Sequence, residues 1–253
     1  MELSASLSKA AHLRLQNLLL DALFPPRCCG CAEWSRMPFC ARCQPKLRPL
    51  KPPFCECCAT FFDPLSFPAA LCASCREKAP GFRAARSAFL FEGPVRHAIH
   101  RFKYAEKSAL AARLAPFLVE IWRGDPILSA FLPDYLVPVP LHPSRHRKRG
   151  FNQSFLLARE LGRSEGVPVA LLLRRTRATA PQVDLDRPAR AKNVRDAFAV
   201  APDVAKRAQS LRGARVLLID DVFTTGATLG ECARALRKAG ASEVCALTLA
   251  RQV

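Results

Sequence analysis

Hydrophobic runs alternate with amphipathic stretches over most of the chain after residue 80. Short runs rich in apolar and β-branched residues predict strands, over residues 87–93, 134–141, 167–173, 198–200, 215–220 and 243–253. Apolar residues at helical spacing predict helices between them, over residues 94–104, 108–123, 155–166 and 227–240. Strands that alternate with helices are typical of an α/β fold with a mainly parallel sheet. We predict this fold class, with residues 81–253 as its domain.

Two segments of this region show no apolar period. Residues 142–154, HPSRHRKRGFNQS, are strongly basic and are predicted to form a loop. Residues 174–196 are polar and basic, which predicts a second, longer loop. Loops of that length inside a compact domain usually carry a function. This segment, with Arg190 and Lys192, is therefore a candidate lid that closes over a binding site.

The first 24 residues predict an amphipathic helix, because their leucines recur at helical spacing. Lys9, Arg14 and Asp21 interrupt the apolar run, and no signal-peptide cleavage site follows it. No stretch of the sequence approaches the roughly eighteen apolar residues of a membrane span. We expect a cytoplasmic protein without a membrane span, whose cysteines are reduced.

Ten of the twelve cysteines lie between Cys28 and Cys75. Eight of them form four C-x-x-C pairs, which are Cys28/Cys31, Cys40/Cys43, Cys55/Cys58 and Cys72/Cys75. Two residues between two thiolates is the spacing at which both sulfurs reach one tetrahedral zinc ion. Residues 25–80 are therefore predicted to form a small zinc-knuckle region that binds two structural zinc ions.

The four pairs can share two zinc ions in two ways. In the sequential allocation, the pairs Cys28/Cys31 and Cys40/Cys43 hold one ion, and the pairs Cys55/Cys58 and Cys72/Cys75 hold the other. In the interleaved allocation, the two halves of the region wrap around each other. We expect the sequential allocation, with Cys29 and Cys57 outside the ligand sets. The region is poor in periodic apolar residues, so one role of the zinc ions is to replace a hydrophobic core. The other role of such a module is contact with nucleic acid or protein.

The formal net charge of the chain is +18. A charge so far from zero predicts a polyanionic partner, such as a nucleic acid, a polyphosphorylated small molecule or an acidic membrane surface. The alternative is a chain whose surface arginines have no specific partner.

The segment RVLLIDDVFTTGATL places chemical groups at the end of a buried strand. In a parallel α/β sheet, ligands bind beyond the carboxyl ends of the strands, so Asp220 and Asp221 are expected to face a binding crevice. The small residues from Thr224 to Thr228 lead into the next helix, where backbone N–H groups and the helix dipole favour an anion. Two carboxylates can accept hydrogen bonds from two vicinal hydroxyls, and the neighbouring turn can bind a phosphate. This combination of groups suits a ribose 5-phosphate.

The same segment resembles the phosphoribosyl pyrophosphate (PRPP) motif of the type I phosphoribosyltransferases, with its hydrophobic run, two acids and T-T-G-x-T. The resemblance implies that Asp220 and Asp221 bind the ribose hydroxyls and act as catalytic residues. It implies that the 5-phosphate is bound by the residues of the following turn, which are Thr224, Thr225, Gly226, Ala227 and Thr228. It also implies Mg²⁺ bound with PRPP. Cations for the pyrophosphate are expected from Lys103 and from the basic segment, with Arg149 as a third catalytic candidate.

Larger parts of the sequence resemble the ComF family (the ComFC/GntX-type proteins). The resemblance rests on the four cysteine pairs, FKY near residue 103, VPVPLHPSRHRKRGFNQS, APQVDLDRPARAKNVRDAF and the PRPP motif. It covers the chain from about residue 25 to its end. The family is implicated in DNA uptake during natural transformation, which implies single-stranded DNA and other DNA-uptake proteins as partners.

Two functions are consistent with these features. The first is a phosphoribosyltransferase that uses PRPP and an unassigned nitrogenous acceptor. The second is a zinc-containing accessory protein that binds single-stranded DNA and uses the PRPP fold without transfer. In the second case cations along residues 142–195 follow the phosphate backbone, while Trp34 or Phe54 stacks on bases. A structural partner of other uptake proteins is a third alternative.

Overall fold

The computed structural model describes residues 25–61, 70–104, 107–177, 193–202 and 211–252. The helix predicted for residues 1–24 lies outside these residues, as do Arg190 and Lys192 of the predicted lid. Among the helices formed by the residues described, none has both the length and the apolar character needed to cross a membrane.

Four parallel strands form the central sheet. In chain order, the strands of the described residues are β1 (Ala85–Leu90), β2 (Tyr135–Pro138), β3 (Leu173–Arg175), β4 (Phe198–Val200), β5 (Arg215–Phe223) and β6 (Glu243–Arg251). The sheet has the order β1-β6-β5-β2, and β3 pairs with β4 in a separate antiparallel ribbon. The predicted α/β fold with a mainly parallel sheet is confirmed.

Helices cover both faces of the sheet. Those of the described residues are α1 (Ala73–Glu77), α2 (Gly93–Tyr104), α3 (Lys107–Gly124), α4 (Pro126–Ser129), α5 (Pro143–Arg149), α6 (Gln153–Glu165) and α7 (Ala227–Lys238). Leu217 and Ile219 of β5 pack into the core that contains residues of α2, α3 and α6. Val216 and Leu218 pack into the core on the α7 side. Because both faces are buried, this strand is a continuous apolar run rather than an alternating one.

Strand β5 is longer than predicted, since it continues past Asp220 to Phe223. It pairs with β6 as far as Phe223 and Arg251. Its pairing with β2 stops earlier, at Pro138 and Ile219. The last residues of β5 therefore have a strand on one side only, and the two aspartates lie where the sheet opens toward solvent.

The loop predicted over residues 142–154 is wrong, because seven of these residues form helix α5. Pro143 occupies the first turn, where its missing N–H is tolerated, and His142 precedes it with a ring nitrogen 3.3 Å from the N–H of Ser144. The helix ends at Gly150, whose φ of 75° is the left-handed conformation that glycine adopts at helix ends. The basic side chains are therefore held on a short rigid element.

The strand predicted over residues 167–173 is wrong for most of its length. Val169 makes an isolated parallel bridge with Leu136, and the chain then leaves the sheet. Pro168 lacks the N–H group that a longer ladder requires. Of these residues only Leu173 belongs to a strand, where it begins β3 of the antiparallel ribbon. Arg174 and Arg175 also belong to β3, so the loop predicted for 174–196 is wrong at these two residues.

The cysteine-rich region packs against the α/β region through two arginine side chains. Arg101 of α2 donates hydrogen bonds of 2.8 and 3.2 Å to the carbonyl oxygens of Cys28 and Cys29. Arg86 of β1 donates a 2.7 Å hydrogen bond to the carbonyl oxygen of Glu56. Hydrogen bonds from a charged donor are stronger than neutral ones, so these contacts fix the cysteine-rich region against the sheet.

Candidate functional site

An ion pair joins the carboxyl end of β5 to helix α2. The Nζ of Lys103 lies 3.0 Å from Oδ2 of Asp221, and both side chains are largely shielded from solvent. Helix α2 ends at the residue after Lys103, so the side chain extends from the last turn of the helix toward the strand. The sequence predicted both residues as ligand contacts, and the structure brings them together.

The second carboxylate, Asp220, accepts two hydrogen bonds at one oxygen. Ser154 of α6 donates from Oγ to Oδ1 at 2.8 Å, and the backbone N–H of Asp221 donates to the same oxygen at 2.9 Å. Burial and the neighbouring Asp221 carboxylate raise the pKa of Asp220 to about 7, against the opposing effect of these hydrogen bonds and of Lys103. This carboxyl therefore exchanges its proton near neutral pH.

The segment RGFNQS connects the basic helix to the rest of the site. Asn152 caps α6 by accepting from the N–H of Ser154 at 3.0 Å, and its amide donates to the carbonyl of Val139 at 2.9 Å. Arg149 donates to Oε1 of the buried Gln153 at 3.2 Å. These contacts hold the end of α5 next to the strand ends of the sheet.

The turn from Thr224 to Thr228 leads into α7 and includes its first two residues. Gly226 is the N-cap residue, has φ 79° and has no side chain with which to cap the helix. The N–H of Ala227 donates to Oγ1 of Thr225 at 3.4 Å. A Cβ at Gly226 would lie 2.7 Å from Cζ of the Phe223 ring. Only glycine fits here, and the helix N-terminus stays accessible to an anion.

These elements surround one cavity of about 450 Å³. The predicted site residues that line it are Lys103, Arg149, Asp220, Asp221, Thr224, Gly226 and Thr228. Thr225 and Ala227 are not among the residues that line it, and their expected contact with a phosphate stays a prediction. The cations around the cavity are Lys103, Arg145, Lys148, Arg149 and Arg175. Five cations against two carboxylates give the lining a positive charge, which suits a polyanionic ligand.

Two polar residues of this site were missed in the sequence. Ser154 belongs to the conspicuous RGFNQS segment, but its contact with Asp220 spans 66 residues of chain and has no local signal. Arg175 was placed in a loop, whereas it lies in β3, is 9% exposed and lines the cavity. Its guanidinium lies 5.2 Å from the centre of the Phe198 ring. No sequence signal marks it, because the buried–exposed alternation of Leu173, Arg174 and Arg175 is visible only in the structure.

The cysteine-rich region brings its ligand candidates together in two sets. Cys28, Cys31, Cys40 and Cys43 form one set, and Cys55, Cys58, Cys72 and Cys75 form the other, with the sulfur atoms of each set within 4.8 Å of one another. These are the sets of the sequential allocation, and neither contains Cys29 or Cys57.

The geometry of both sets fits zinc. Sγ atoms of Cys31 and Cys40 lie 3.6 Å apart, and those of Cys58 and Cys72 lie 3.7 Å apart. Zn–S bonds of about 2.3 Å in a tetrahedron place sulfurs about 3.8 Å apart. The two cysteine sets thus support structural zinc, while the ligand role of each cysteine stays a prediction.

Two protein-family models match the chain. The model described as Phosphoribosyl transferase domain matches residues 148–252, which contain α6, β5 and the turn before α7. The model described as Double zinc ribbon domain matches residues 19–76, which contain both cysteine sets. The fold and the site define a protein that joins a double zinc ribbon to a phosphoribosyltransferase-type α/β domain.

Curated relatives identify the family. The chain is 34% identical over 181 residues to DNA utilization protein YhgH of Escherichia coli (strain K12), which covers 68% of this chain and 74% of that protein. It is 31% identical over 227 residues to Competence protein F of Haemophilus influenzae, which covers 88% of this chain and 90% of that protein. It is 29% identical over 175 residues to Competence protein ComFC of Bacillus subtilis, covering 67% and 65%. The chain belongs to the ComF family.

Proposed function

We propose that this chain binds PRPP, with Mg²⁺, in the cavity at the end of β5. The observation that supports this most directly is the arrangement of Asp220 and Asp221 between Lys103 and the accessible N-terminus of α7, around a cavity with a positive lining. The match of residues 148–252 to the phosphoribosyl transferase domain supports the same ligand.

The ribose is assigned to the two carboxylates. A carboxylate accepts strong hydrogen bonds from hydroxyl groups, and adjacent residues near the end of β5 match two vicinal hydroxyls. Lys103 fixes the position of the Asp221 carboxylate through their 3.0 Å ion pair. Ser154 fixes Asp220 in the same way, so the carboxylates are ordered before the ligand arrives.

The 5-phosphate and the pyrophosphate of PRPP are assigned to opposite sides of the ribose. The 5-phosphate is bound by backbone N–H groups of the turn from Thr224 to Thr228 and by the dipole of α7. The pyrophosphate meets the cations of α5 (Arg145, Lys148 and Arg149), which line the same cavity. Mg²⁺, which prefers carboxylate and phosphate oxygens, neutralises part of the pyrophosphate charge when it is bound.

The reaction assigned to the site is pentosyl transfer to a nitrogenous acceptor. The bond between C1 of the ribose and the pyrophosphate oxygen breaks, and its electron pair leaves with the pyrophosphate. A bond from C1 to the acceptor nitrogen forms, and that nitrogen releases its proton to solvent. Negative charge develops on the departing pyrophosphate, so fixed cations such as Arg149 stabilise the transition state. Asp220 and Asp221 hold the ribose in the orientation that exposes C1 to the acceptor.

Titration calorimetry with PRPP and Mg²⁺ tests the binding step. We expect saturable binding to a single site per chain, and competition by ribose 5-phosphate, which lacks the pyrophosphate. Absence of binding heat and of competition would contradict the proposal. Pyrophosphate release with a panel of purine and pyrimidine acceptors then tests transfer. If the chain binds PRPP but releases pyrophosphate with no acceptor, the transferase activity is contradicted and PRPP binding alone stands.

A second function, binding of single-stranded DNA, is favoured by different observations. The net charge is +18, and the relatives bear the names Competence protein and DNA utilization protein. Trp34 in the first half of the cysteine-rich region is 63% exposed, with the Arg36 guanidinium 6.0 Å from its ring. Phe54 is less suited to base stacking, because Arg86 already covers its ring at 5.1 Å. In this function the chain acts with other DNA-uptake proteins.

Tryptophan fluorescence tests this second function. The chain has two tryptophans, and Trp122 is buried, so quenching by an oligonucleotide reports on Trp34. We expect quenching that weakens steeply as salt rises, because binding releases counterions from the phosphates. Arg145→Ala with Lys148→Ala should reduce that salt dependence. Affinity that does not change with salt would contradict a polyanion groove.

A further inference from the structure

Arg251, near the end of the chain, lies between the second cysteine set and the turn before α7. It is the last residue of β6, it is 7% exposed, and it pairs in register with Phe223 of β5. Its guanidinium carbon lies 4.3 Å from the centre of the Phe223 ring. A cation this close to an aromatic face in a buried position is a strong contact.

The other side of this guanidinium binds the second cysteine set. Nη1 donates to the carbonyl oxygen of Cys58, and Nη2 donates to Oγ1 of Thr60 at 2.7 Å. Oγ1 of Thr60 lies 3.0 Å from Sγ of Cys58. Because a guanidinium only donates, the hydroxyl oxygen accepts from Arg251, and the same hydroxyl is hydrogen-bonded to the Cys58 sulfur. Arg251 thus holds both the backbone and the sulfur environment of Cys58.

Phe223 carries this contact into the ligand cavity. Its ring lines the cavity and is the group that a Cβ at Gly226 would strike. The ring is held from another side by Phe82, whose centroid lies 6.3 Å away in an edge-on arrangement. The backbone carbonyl of Phe223 accepts a hydrogen bond from the N–H of Gln252 at 2.8 Å. The turn from Thr224 to Thr228 therefore rests on a ring that Arg251 and Phe82 fix.

We infer that Arg251 is a positioning residue through which the metal-loaded second cysteine set orders the phosphate-binding turn. Closing the set around a metal fixes the Cys58 carbonyl and the Thr60 hydroxyl, and these fix the guanidinium over Phe223. Loss of the metal frees Cys58 and lets the ring and the turn move. The inference rests on the proposed function for its ligand, but the coupling itself concerns residues of the chain alone.

The first test compares two buried arginines that both hold the second half of the cysteine-rich region. Arg86 donates to the Glu56 carbonyl and covers Phe54, whereas Arg251 covers Phe223, which lines the cavity. We expect Arg251→Gln to raise the dissociation constant for PRPP about tenfold and to speed amide hydrogen exchange of residues 222–230. Arg86→Gln should lower the melting temperature at least as much without either effect. Arg251→Lys keeps the charge over Phe223 but loses the paired donors. Its dissociation constant for PRPP and its exchange rate should therefore lie between those of the wild type and Arg251→Gln.

The second test empties the second set without touching Arg251. Cys72→Ser should lower zinc to about one ion per chain and speed exchange of residues 222–230 as much as Arg251→Gln does. The double variant should show little further change, because both substitutions break one connection. An unchanged exchange rate in Arg251→Gln, or an equal increase in Arg86→Gln, would overturn the inference.

Hydrogen exchange needs no ligand, so the two proposals can fail separately. If the wild type does not bind PRPP while Arg251→Gln still loosens residues 222–230, the proposed function fails and the coupling holds. If the wild type binds PRPP and Arg251→Gln binds it equally well with unchanged exchange, the coupling fails and the proposed function holds.

Discussion

Ser154 of α6 donates a 2.8 Å hydrogen bond to Asp220 at the end of β5. The bond connects the RGFNQS segment, which begins at the end of the basic helix, to the carboxylate pair that we assign to the ribose. Asp220 has a pKa raised to about 7, so a single hydroxyl acts on a group that titrates at physiological pH. This relationship gives the site two properties that depend on pH.

The first property is stability. Below about pH 4 the Asp220 carboxyl is protonated in the folded and unfolded chains, and it contributes no pH dependence. Between about pH 4 and its folded pKa of about 7, only the unfolded chain loses the proton, so the free energy of unfolding falls as pH rises, by at most about 1.4 kcal/mol per unit. Above that range the penalty is constant. We expect Asp220→Asn to remove this decline and to be more stable than the wild type at pH 8.

Urea unfolding of the wild type and Asp220→Asn from pH 4 to 8 measures this pH dependence of the free energy of unfolding. The difference between them isolates Asp220, because the cysteines titrate in both. Parallel curves for the wild type and the variant would contradict the raised pKa.

The second property is ligand affinity. If ionised Asp220 accepts from a ribose hydroxyl, affinity for PRPP should increase as pH rises through about 7. The Ser154 hydroxyl lowers the pKa of Asp220, so Ser154→Ala should shift the midpoint to higher pH. Ser164→Ala is the matched control, since Ser164 lies on the same helix but bonds to Glu165 instead. Calorimetric titrations across pH measure the midpoints, and equal midpoints in all three proteins would exclude Asp220 as the acceptor.

Gly226→Ala tests the phosphate turn. Gly226 and Gly166 both have positive φ, of 79° and 70°, so alanine strains the backbone at either position. Only at Gly226 does the new Cβ meet another group, the Phe223 ring at 2.7 Å, while Gly166 has nothing within 4 Å. We expect Gly226→Ala to abolish ribose 5-phosphate binding and Gly166→Ala to cost about 1 kcal/mol of stability with unchanged binding. Equal binding by both variants would show that the turn does not contact phosphate.

Elemental analysis tests the zinc assignment. The purified protein should contain about two zinc ions per chain. Cys28→Ser should reduce this to about one, and Cys29→Ser should leave it unchanged, because Cys29 is buried beside Cys28 but outside both sulfur sets. A zinc-free protein in which thiol reagents titrate all twelve cysteines would contradict the assignment.

Local patterns were sufficient to predict a mainly parallel sheet and the four cysteine pairs. The strand at Val216 to Ile219 is a continuous apolar run because both its faces are buried, and the cysteine pairs have a spacing that only metal binding explains well. The RVLLIDDVFTTGATL segment contains the strand, the two carboxylates and the turn within fifteen residues. Their arrangement therefore follows from the rule that ligands bind beyond the carboxyl ends of parallel strands.

Two features of the structure have no periodic signal in the sequence and were not predictable. Helix α5 is polar on all sides and has seven residues, so neither an apolar stripe nor its length marks it. It is held by the cap at its start and by the contact of Arg149 with Gln153. Arg251 shows the same limit, because its contact with Cys58 joins residues 193 positions apart. Such contacts are set by the packing of the cysteine-rich region against the sheet.

The central claim is that Asp220 and Asp221 bind the ribose of PRPP, and calorimetric titration of the double variant Asp220→Asn, Asp221→Asn tests it most directly. Asparagine keeps the size but removes the charge, and each charge-assisted hydrogen bond contributes about 1.5 to 3 kcal/mol. We predict that affinity for PRPP falls about tenfold or more per carboxylate while the protein stays folded. Asp134→Asn is the control, because Asp134 accepts from the N–H of Arg215 at the opposite end of β5. Wild-type affinity in the double variant would contradict the account.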